Sequence, residues 1–569
     1  MKKFFTCLIL LSLLTSAAAA QNMIFRTSVN NVDLIVDGTL FKEGWRVAPE
    51  INPDVFETTA REVVFISDVD TLVINNLREW ESFDFDIITN AADTSHVRVT
   101  RTAINIFENP TPQLLKKAPS GNLTRGQASF DIDALIYALS QVHPNMYSVC
   151  RQEDLLRAVN KAKASLTDSV TPLQLYLATA PIVAMIGDGH TNMWFPYNSL
   201  FTRELKRRPV YVRVQPDRSL ICKSSLDSII PRGAKVLSIN NISADSLINS
   251  MMPYVSGEKT HFKLSKIDNL FDALFQMLYA ADEYTVQYQL AGSRKVLSHV
   301  FPATTWDEIK KRCPSTRSGK KYERYSYTVD SLNNVAVMDF REFSDIKGME
   351  IFADSMFREL NSRGIGNLII DVRNNGGGNS GVGDVLLRYI SPEPFIQLEK
   401  MLVRVTPHTS KLMGTSGSRP MLILQEFDST QFTHPRSIEE GHYTGHVYLL
   451  TSNRTFSSAS SFAWAFKECG MGKVIGEETG GVNVCYGDVL SYQLPISGLS
   501  MSISYKRFWQ LRADENDIHG TLPDVEVPEE KALDTALKLI RKSKKNSCCC
   551  KPDIIWLTGR LRVRSGNCI

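Results

Sequence analysis

The fold of this chain is decided by one stretch, Thr455-Phe456-Ser457-Ser458-Ala459-Ser460-Ser461. It follows an apolar run, His446–Thr451, which is typical of a buried strand. It precedes Phe462–Cys469, where apolar residues recur at helical spacing. The serines therefore lie where a strand turns into a helix, and the free N–H groups of a helix N-terminus favour a developing oxyanion. The alternative is that Ser457 or Ser458 only caps the helix, because serine is a preferred capping residue.

Strands and helices alternate around this stretch, from about residue 325 to about residue 540. This alternation predicts an α/β domain with a largely parallel sheet, in which sites lie at the carboxyl ends of strands. A second apolar strand, Asn367–Val372, leads into Gly376, Gly377 and Gly378. Such glycines let backbone N–H groups approach a ligand, and the absence of a Gly-Lys-Ser/Thr sequence excludes a P-loop. A simple tight turn and an oxyanion hole are the two uses that remain.

Three further units are expected before the α/β domain. Helical periodicity marks residues 120–205, and the last helix ends at Gly187–Thr191, whose two glycines place His190 on a loop. Residues 206–303 are β-rich, and Gly233–Asn241 resembles the core of PDZ domains with two substitutions, so capture of a peptide C-terminus by strand addition is one possible role. Short alternating runs in residues 21–115 predict an N-terminal all-β module.

Composition bounds the class of protein. The net charge of +3 over 569 residues does not indicate the strongly basic surface that binds nucleic acids. Residues 1–20 have the basic start, apolar centre and small-residue end of a signal peptide, so we expect an exported protein, either periplasmic or secreted to the surface. The scattered cysteines form neither a disulfide framework nor a zinc site, and we expect no metal and no cofactor. We expect an irregular insertion at residues 392–445 and a disordered tail at 545–569.

Four motifs occur in an order that carries a family resemblance. They are Asn367–Gly378, Phe456–Ala459 before a helix, Val474–Gly481 and Gly520–Val525. Together they resemble the catalytic domain of the tail-specific (carboxyl-terminal processing) serine protease family. The loop that carries His190 is similar to the branch related to the tricorn core protease. The resemblance implies a ClpP/crotonase-like βαβ spiral at residues 320–544, with the helical segment as a cap and the unit at 206–303 as a PDZ-like domain.

The resemblance also implies site residues. One difference from the family's pattern decides which of its two catalytic mechanisms this chain could use. The Ser–Lys branch has its lysine where this chain has Val482, which cannot accept a proton. The tricorn-like branch uses Ser, His and Glu, which correspond here to Ser457, His190 and Glu515. The N–H of Ser458, with one from Gly376 or Gly377, would bind the oxyanion.

Other residues near these motifs stay open. Asp514 and Asp517 are alternatives to Glu515, and His519 beside them is a candidate supporting group. His143 precedes a proline and is interpreted as a structural turn residue. Ser460 stands where relatives carry Glu, which we interpret as a change in how the helix starts.

These features predict an exported serine endopeptidase that cuts unfolded or tail-presented polypeptides. Its partner is a polypeptide substrate, with no nucleic acid and no integral membrane span, and an oligomer is possible. The alternative is a catalytically silent protein of the same fold that holds a peptide or a hydrophobic ligand. An esterase or lipase is disfavoured because the Gly-x-Ser-x-Gly elbow is absent around Ser457.

Overall fold

The computed structural model describes eight strands between residues 21 and 101, together with residues 121–202, 204–313, 322–406, 409 and 421–549. The predicted signal peptide at residues 1–20 lies outside the described residues. The eight strands form two four-stranded sheets, with orders β1-β2-β5-β6 and β3-β4-β8-β7. Their bounds are β1 Gln21–Arg26, β2 Asp33–Gly38, β3 Arg46–Val47, β4 Val55–Thr58, β5 Glu62–Ile66, β6 Thr71–Ile74, β7 Ser82–Asn90 and β8 Asp93–Arg101.

A helical segment follows. Its helices are α1 Arg125–Val142, α2 Gln152–Ala164, α3 Pro172–Ala184 and α4 Tyr197–Leu200, and its short strands are β9 Leu123–Thr124, β10 Ser169–Val170 and β11 Asn192–Met193. Thr124 and Thr171 start α1 and α3 with capping boxes, each closed by a glutamine three residues later. The helices predicted here from apolar spacing are present.

The next unit is an antiparallel sheet with helices against it. Its strands are β12 Lys206–Arg207, β13 Val210–Val214, β14 Leu220–Ser225, β15 Lys235–Ile239, β16 Ile242–Ser243, β17 Glu283–Gln289, β18 Leu297–Pro302 and β19 Thr304–Thr305. Its helices are α5 Ala244–Met251, α6 Thr260–Tyr279 and α7 Trp306–Arg312, with 3₁₀ turns at Leu226–Ser228 and Met252–Tyr254. The main sheet has the order β13-β14-β15-β17-β18.

Helix α6 lies along the outer edge of this sheet. The backbone N–H of Val214 on β13 donates to Asp268 Oδ1 of α6 at 2.8 Å. The edge strand to which a peptide would add is therefore partly occupied by the protein's own helix. Strand addition at β13 would have to displace that contact.

The rest of the described chain, from Tyr325 onward, forms two sheets and four helices. The strands are β20 Tyr325–Asp330, β21 Val335–Phe340, β22 Asn367–Asp371, β23 Leu398–Val405, β24 Met421–Glu426, β25 His446–Thr451, β26 Lys473–Gly476, β27 Val484–Gln493, β28 Ser500–Gln510 and β29 Val525–Glu526. The helices are α8 Ile346–Ser362, α9 Ser380–Leu387, α10 Ser458–Glu468 and α11 Glu529–Cys549, with a 3₁₀ turn at Ser429–Gln431.

The first of these sheets carries the nucleophile stretch. Its order is β20-β21-β22-β25-β26-β29, and all pairs after β20–β21 are parallel. Helices α8, α9 and α10 share one buried core on one face, and α11 packs against the other face. Because β22 and β25 are neighbours, the glycine loop and the serine turn emerge side by side at the carboxyl edge of the sheet. The predicted α/β architecture is confirmed for this domain.

Two predictions outside that sheet differ from the structure. The expected irregular insertion at 392–445 contains β23 and β24, an antiparallel pair that joins β28 in the second sheet. Turn residues are frequent in this segment, but the apolar residues of β23 and β24 are sufficient to form strands. Helix α11 continues to Cys549, beyond the expected start of a disordered tail at 545, since its lysines and arginines still favour helix.

Candidate active site

Ser457 has an unusual backbone conformation. Its φ is 54° and its ψ is −131°, outside the regions that non-glycine residues ordinarily adopt. Its side chain makes no capping hydrogen bond to α10, and among the described residues its hydroxyl has no hydrogen-bond partner. The capping alternative therefore does not account for this serine. Strained residues at a strand–helix turn, with the hydroxyl left free, are typical of nucleophile sites.

The glycine loop is fitted closely against this turn. A Cβ on Gly377, whose φ is +94°, would lie 2.7 Å from both Ser457 Cβ and Ser458 N, so only glycine is accommodated. Asn375 fastens the loop, because its Oδ1 accepts from Gly377 N at 2.9 Å and its backbone oxygen accepts from Phe456 N at 3.0 Å. The N–H of Gly377 is therefore engaged, whereas that of Gly376 donates to no described acceptor.

The start of α10 is tied to both neighbouring loops. The hydroxyl of Ser458 donates to Gly378 O at 2.6 Å, while its N–H donates to no described acceptor. The hydroxyl of Ser460 donates to Thr455 O at 2.8 Å and accepts from Gly481 N at 3.2 Å. Ser460 is thus a structural link at the helix start, in keeping with our interpretation of it.

His190 lies against the residue that precedes Ser457. Its ring centroid is 4.4 Å from that of Phe456. Its loop is held because β11 pairs with β28 and because the Ser502 hydroxyl donates to His190 O at 2.6 Å. Burial lowers the pKa of His190 below its ordinary value and outweighs the charge of Asp188. The imidazole is therefore neutral near pH 7 and able to accept a proton.

Asp188 is the carboxylate within 4 Å of that ring. It is fully buried, and its Oδ1 accepts from His190 N at 2.8 Å and lies 3.8 Å from His190 Nδ1. Its Oδ2 accepts from the Ser504 hydroxyl at 2.6 Å and lies 3.4 Å from His143 Nε2. Burial alone would raise the pKa of Asp188, but the hydrogen bond and charge of His143, with His190 and Ser504, hold it below its ordinary value. Sequence reasoning assigned His143 only a turn role and missed this contact.

Glu515 has other partners. Its Oε1 accepts from the Trp509 indole at 2.7 Å and lies 3.2 Å from Arg507 Nη1, and about half of its side chain is exposed. Within the described part of the chain, no hydrogen bond or ion pair joins Glu515 to His190.

The neighbours of Glu515 also have local partners. Asp514 accepts from Asn516 N at 2.8 Å. Asp517 Oδ2 lies 3.7 Å from Nε2 of His519, whose ring packs on Trp464. Near Ser457 the structure therefore places the His190 ring against Phe456, Asp188 beside that ring, and the glycine loop against the serine turn.

Sequence reasoning missed the contribution of α6 to the site. Phe262 stacks on Phe456, with centroids 4.2 Å apart and planes at 16°. Phe456 thus contacts both Phe262 and His190. The signal was present, since Leu264, Ile267, Phe271 and Leu274 recur at helical spacing.

Two partly buried ionisable residues from the same region, Glu258 and Lys266, lie beside the histidine loop. Both carboxylate oxygens of Glu258 are buried without a hydrogen-bond partner, and burial, reinforced by the charge of Asp188, raises the pKa of Glu258 to about 7. Lys266 Nζ donates to Gly189 O at 2.6 Å and to Asn192 Oδ1 at 2.9 Å. Lys266 therefore holds the chain on both sides of His190, and the Glu258 carboxylate lies against Gly189 of the same loop.

Arg454 fastens α6 to the nucleophile loop. Its Nη2 donates to Asp268 Oδ2 at 2.6 Å, and its Nη1 donates to Glu529 Oε1 of α11 at 2.8 Å. All three side chains are less than one fifth exposed. The loop that ends in Ser457 is therefore held from two other parts of the chain.

The described residues offer no metal centre and no membrane span. No group of three or more His, Cys, Asp or Glu side chains among them is arranged to hold an ion. None of the helices that the structure describes is both long and apolar enough to cross a bilayer.

Comparison with known proteins agrees with the geometry. Residues 334–527 match the model of Peptidase family S41. The crystal structure of mature CPAF matches with a TM-score of 0.54 at 15% identity, over 74% of this chain and 97% of that chain. The photosystem II D1 C-terminal processing protease matches with a TM-score of 0.38 at 12% identity, over 73% and 97%. The tricorn protease matches with a TM-score of 0.31 at 14% identity, over 92% and 46%.

The match to the family model defines the class of protein as a serine peptidase, a hydrolase of peptide bonds. Residues 334–527 form a domain that matches peptidase family S41, which supports the predicted tail-specific protease family. The predicted family and enzyme class are confirmed.

Proposed function

We propose that the chain is an exported endopeptidase that hydrolyses unfolded or tail-presented polypeptides. Ser457 is the nucleophile, and His190 takes its proton and later returns it to the leaving amine. The N–H groups of Ser458 and Gly376 stabilise the tetrahedral oxyanion, for which the engaged N–H of Gly377 is the weaker candidate. The observation that carries this proposal is the strained, unpartnered Ser457 beside a ring that contacts a neutral histidine.

The third member of the triad is a carboxylate that orients the imidazole. Glu515 takes this role by the family resemblance, and to reach His190 it would have to exchange its contacts with Arg507 and Trp509. Asp188 is a second candidate, supported by its bond to the His190 backbone and by the 3.8 Å between the two side chains. That distance is too long for a direct hydrogen bond, so a small ring movement would complete it.

Two parts of the proposal concern regions outside the catalytic domain. Export is supported by the signal-like composition of residues 1–20, and a mature N-terminus at Gln21 in protein recovered outside the cytoplasm would test it. The unit at 206–303 is proposed to bind or gate the substrate as a PDZ-like domain. Its support is the contact of α6 with the nucleophile loop.

The test is labelling of the protein from Gln21 onward with a fluorophosphonate, followed by mapping of the modified residue. We expect labelling at Ser457 and cleavage of unfolded casein, both abolished in Ser457→Ala and the labelling strongly reduced in His190→Ala. Ser461→Ala is the matched control, because Ser461 lies one turn into α10 and its hydroxyl only accepts a 3.3 Å bond from Gln510. Casein cleavage that persists in Ser457→Ala would refute the assignment.

A further inference from the structure

Lys266 of α6 contacts the loop that carries His190 through its ammonium group. Its Nζ donates to Gly189 O at 2.6 Å, to Asn192 Oδ1 at 2.9 Å and to Ser256 O at 2.8 Å. Gly189 and Asn192 lie on either side of His190 in the chain, whereas Ser256 lies in the segment before α6. One side chain therefore joins α6 to both ends of the histidine loop.

The acceptors of Lys266 are also bonded within the loop. Asn192 Nδ2 donates to Gly189 O at 2.8 Å, which leaves Asn192 Oδ1 to face Lys266. The Ser256 hydroxyl donates to Asp188 O at 2.6 Å. Lys266, Asn192 and Ser256 therefore form one connected set of hydrogen bonds that holds the histidine loop.

The three acceptors define the protonation state of Lys266. An ammonium group has three N–H donors and no acceptor, and each of the three oxygens around Nζ accepts one of them. A neutral amine would turn its lone pair towards one of these oxygens. Burial lowers the pKa of Lys266 to about 8, although the charges of Glu258 and Asp188 act in the opposite direction. Near pH 7 Lys266 is therefore positively charged and does not act as a base.

The charged groups that face His190 come from its own loop, from β27 and from α6. Burial lowers the pKa of His190 most, the charge of Asp188 raises it, and the charge of Lys266 lowers it again. Asp488 on β27 also raises the pKa of His190, and it is paired with Lys506 at 2.7 Å. Lys266 is therefore the charged group in this set that opposes protonation of the imidazole.

We propose that Lys266 is a positioning residue for the peptidase reaction: it holds His190 in place through Gly189 and Asn192 and keeps a positive charge beside the ring. This inference rests on the proposed function in that it takes His190 as the base. The hydrogen bonds act through geometry, because a small misplacement of a catalytic group can cost about a hundredfold in rate. The charge has a separate effect, because it disfavours the imidazolium and keeps His190 able to accept a proton.

The first measurement is the kinetics of cleavage of a short fluorogenic peptide. Lys266→Met keeps the apolar stem and loses all three hydrogen bonds, so we expect kcat to fall by about tenfold to a hundredfold with a smaller change in KM. Lys266→Arg keeps the charge and several donors, and it should recover part of the lost kcat. Lys263→Met is the matched control, because Lys263 lies one turn earlier on α6 and donates to no described acceptor.

The second measurement does not depend on cleavage. The titration of His190 is followed by NMR of isotope-labelled histidine in Ser457→Ala protein, with His190→Ala to assign the signal. Loss of the nearby positive charge favours the imidazolium, so the midpoint should move to higher pH in Lys266→Met. It should stay in place in Lys266→Arg and in Lys263→Met. A role limited to packing would not distinguish the charged variant from the neutral one.

Two results would overturn the proposal. One is a His190 titration that is the same in Lys266→Met as in Lys263→Met, and the other is an equal kcat in these two variants. If Lys266→Met does not fold, Lys266→Gln provides a neutral side chain that still donates, and the same comparison applies. Peptide cleavage that persists in Ser457→Ala would refute the proposed function instead, because the titration reports on Lys266 and His190 without any cleavage.

Discussion

The ring of His190 lies 4.4 Å from the ring of Phe456, and Phe456 is bonded directly to Ser457. The same Phe456 stacks on Phe262 of α6 at 4.2 Å. The proposed base and the proposed nucleophile are therefore linked through one aromatic ring, and that ring is supported from the unit at 206–303. The position of His190 depends on this packing as well as on the loop that carries it.

Replacing Phe262 tests this support. Phe262→Leu keeps an apolar side chain but removes the stack, so His190 and Ser457 lose their fixed relation. We expect kcat on a short fluorogenic peptide to fall by about tenfold to a hundredfold with a smaller change in KM, since small misplacements of catalytic groups have effects of this size. Phe357→Leu, in a buried stack of α8, is the matched control. An equal fall in kcat in both variants would show that the effect comes from general destabilisation.

The pH dependence of kcat/KM identifies the carboxylate that serves His190. Because burial lowers the pKa of His190, the acid limb of the wild-type profile is expected below pH 6.5. Asp188→Asn removes a negative charge that favours the imidazolium, so the limb moves to still lower pH and kcat falls by about a hundredfold or more. Glu515→Gln is measured alongside. A limb that moves in Glu515→Gln and stays in Asp188→Asn would assign the role to Glu515.

Glu258 gives a pH dependence of stability. Its pKa is raised from 4.5 to about 7 in the folded protein. As pH rises, the carboxyl group of Glu258 therefore loses its proton at a lower pH in the unfolded chain than in the folded one. The contribution of Glu258 therefore becomes more unfavourable as pH rises from about 4.5 to 7 and is constant above that. Glu258→Gln should gain stability over the parent across this window, by up to about 3 kcal/mol. Thermal unfolding from pH 5 to 8 measures this difference. An equal gain in Glu350→Gln, an exposed helical control, would argue against the assignment.

The Arg454 contacts should be strongly coupled. Arg454→Met leaves the buried carboxylates of Asp268 and Glu529 without their cation, and a loss of about 3–5 kcal/mol in unfolding free energy is expected. Asp268→Asn alone and the double variant complete a cycle that isolates the pairwise energy. Additive losses across the cycle would show that the two side chains act independently. Exposed Arg358→Met, whose partner Asp354 lies one turn away, is the control.

The catalytic sheet and its serine were predictable because their signals are local. Strand, turn and helix follow one another within a few residues at Ser457, and parallel neighbours bring the glycine loop to the same edge. Helix α6 was not predicted although Leu264, Ile267 and Phe271 have helical spacing. The strands on both sides of it led to the prediction of a β-rich unit.

The partners of the candidate triad were not predictable in the same way. That Asp188 contacts both His143 and His190, and that Glu515 pairs with Arg507, depends on side-chain packing between distant segments. Sequence spacing alone carries no information on such pairs. A resemblance supplies residue types for these roles, and only the folded chain shows which of them meet.

The pairing of β11 with β28 has a consequence for synthesis. Asn192 pairs with Ser502 next to His190, and Glu529 anchors the loop that ends in Ser457. A ribosome makes the histidine loop more than 300 residues before these supports exist. A nascent chain therefore has no assembled active site during almost all of its translation.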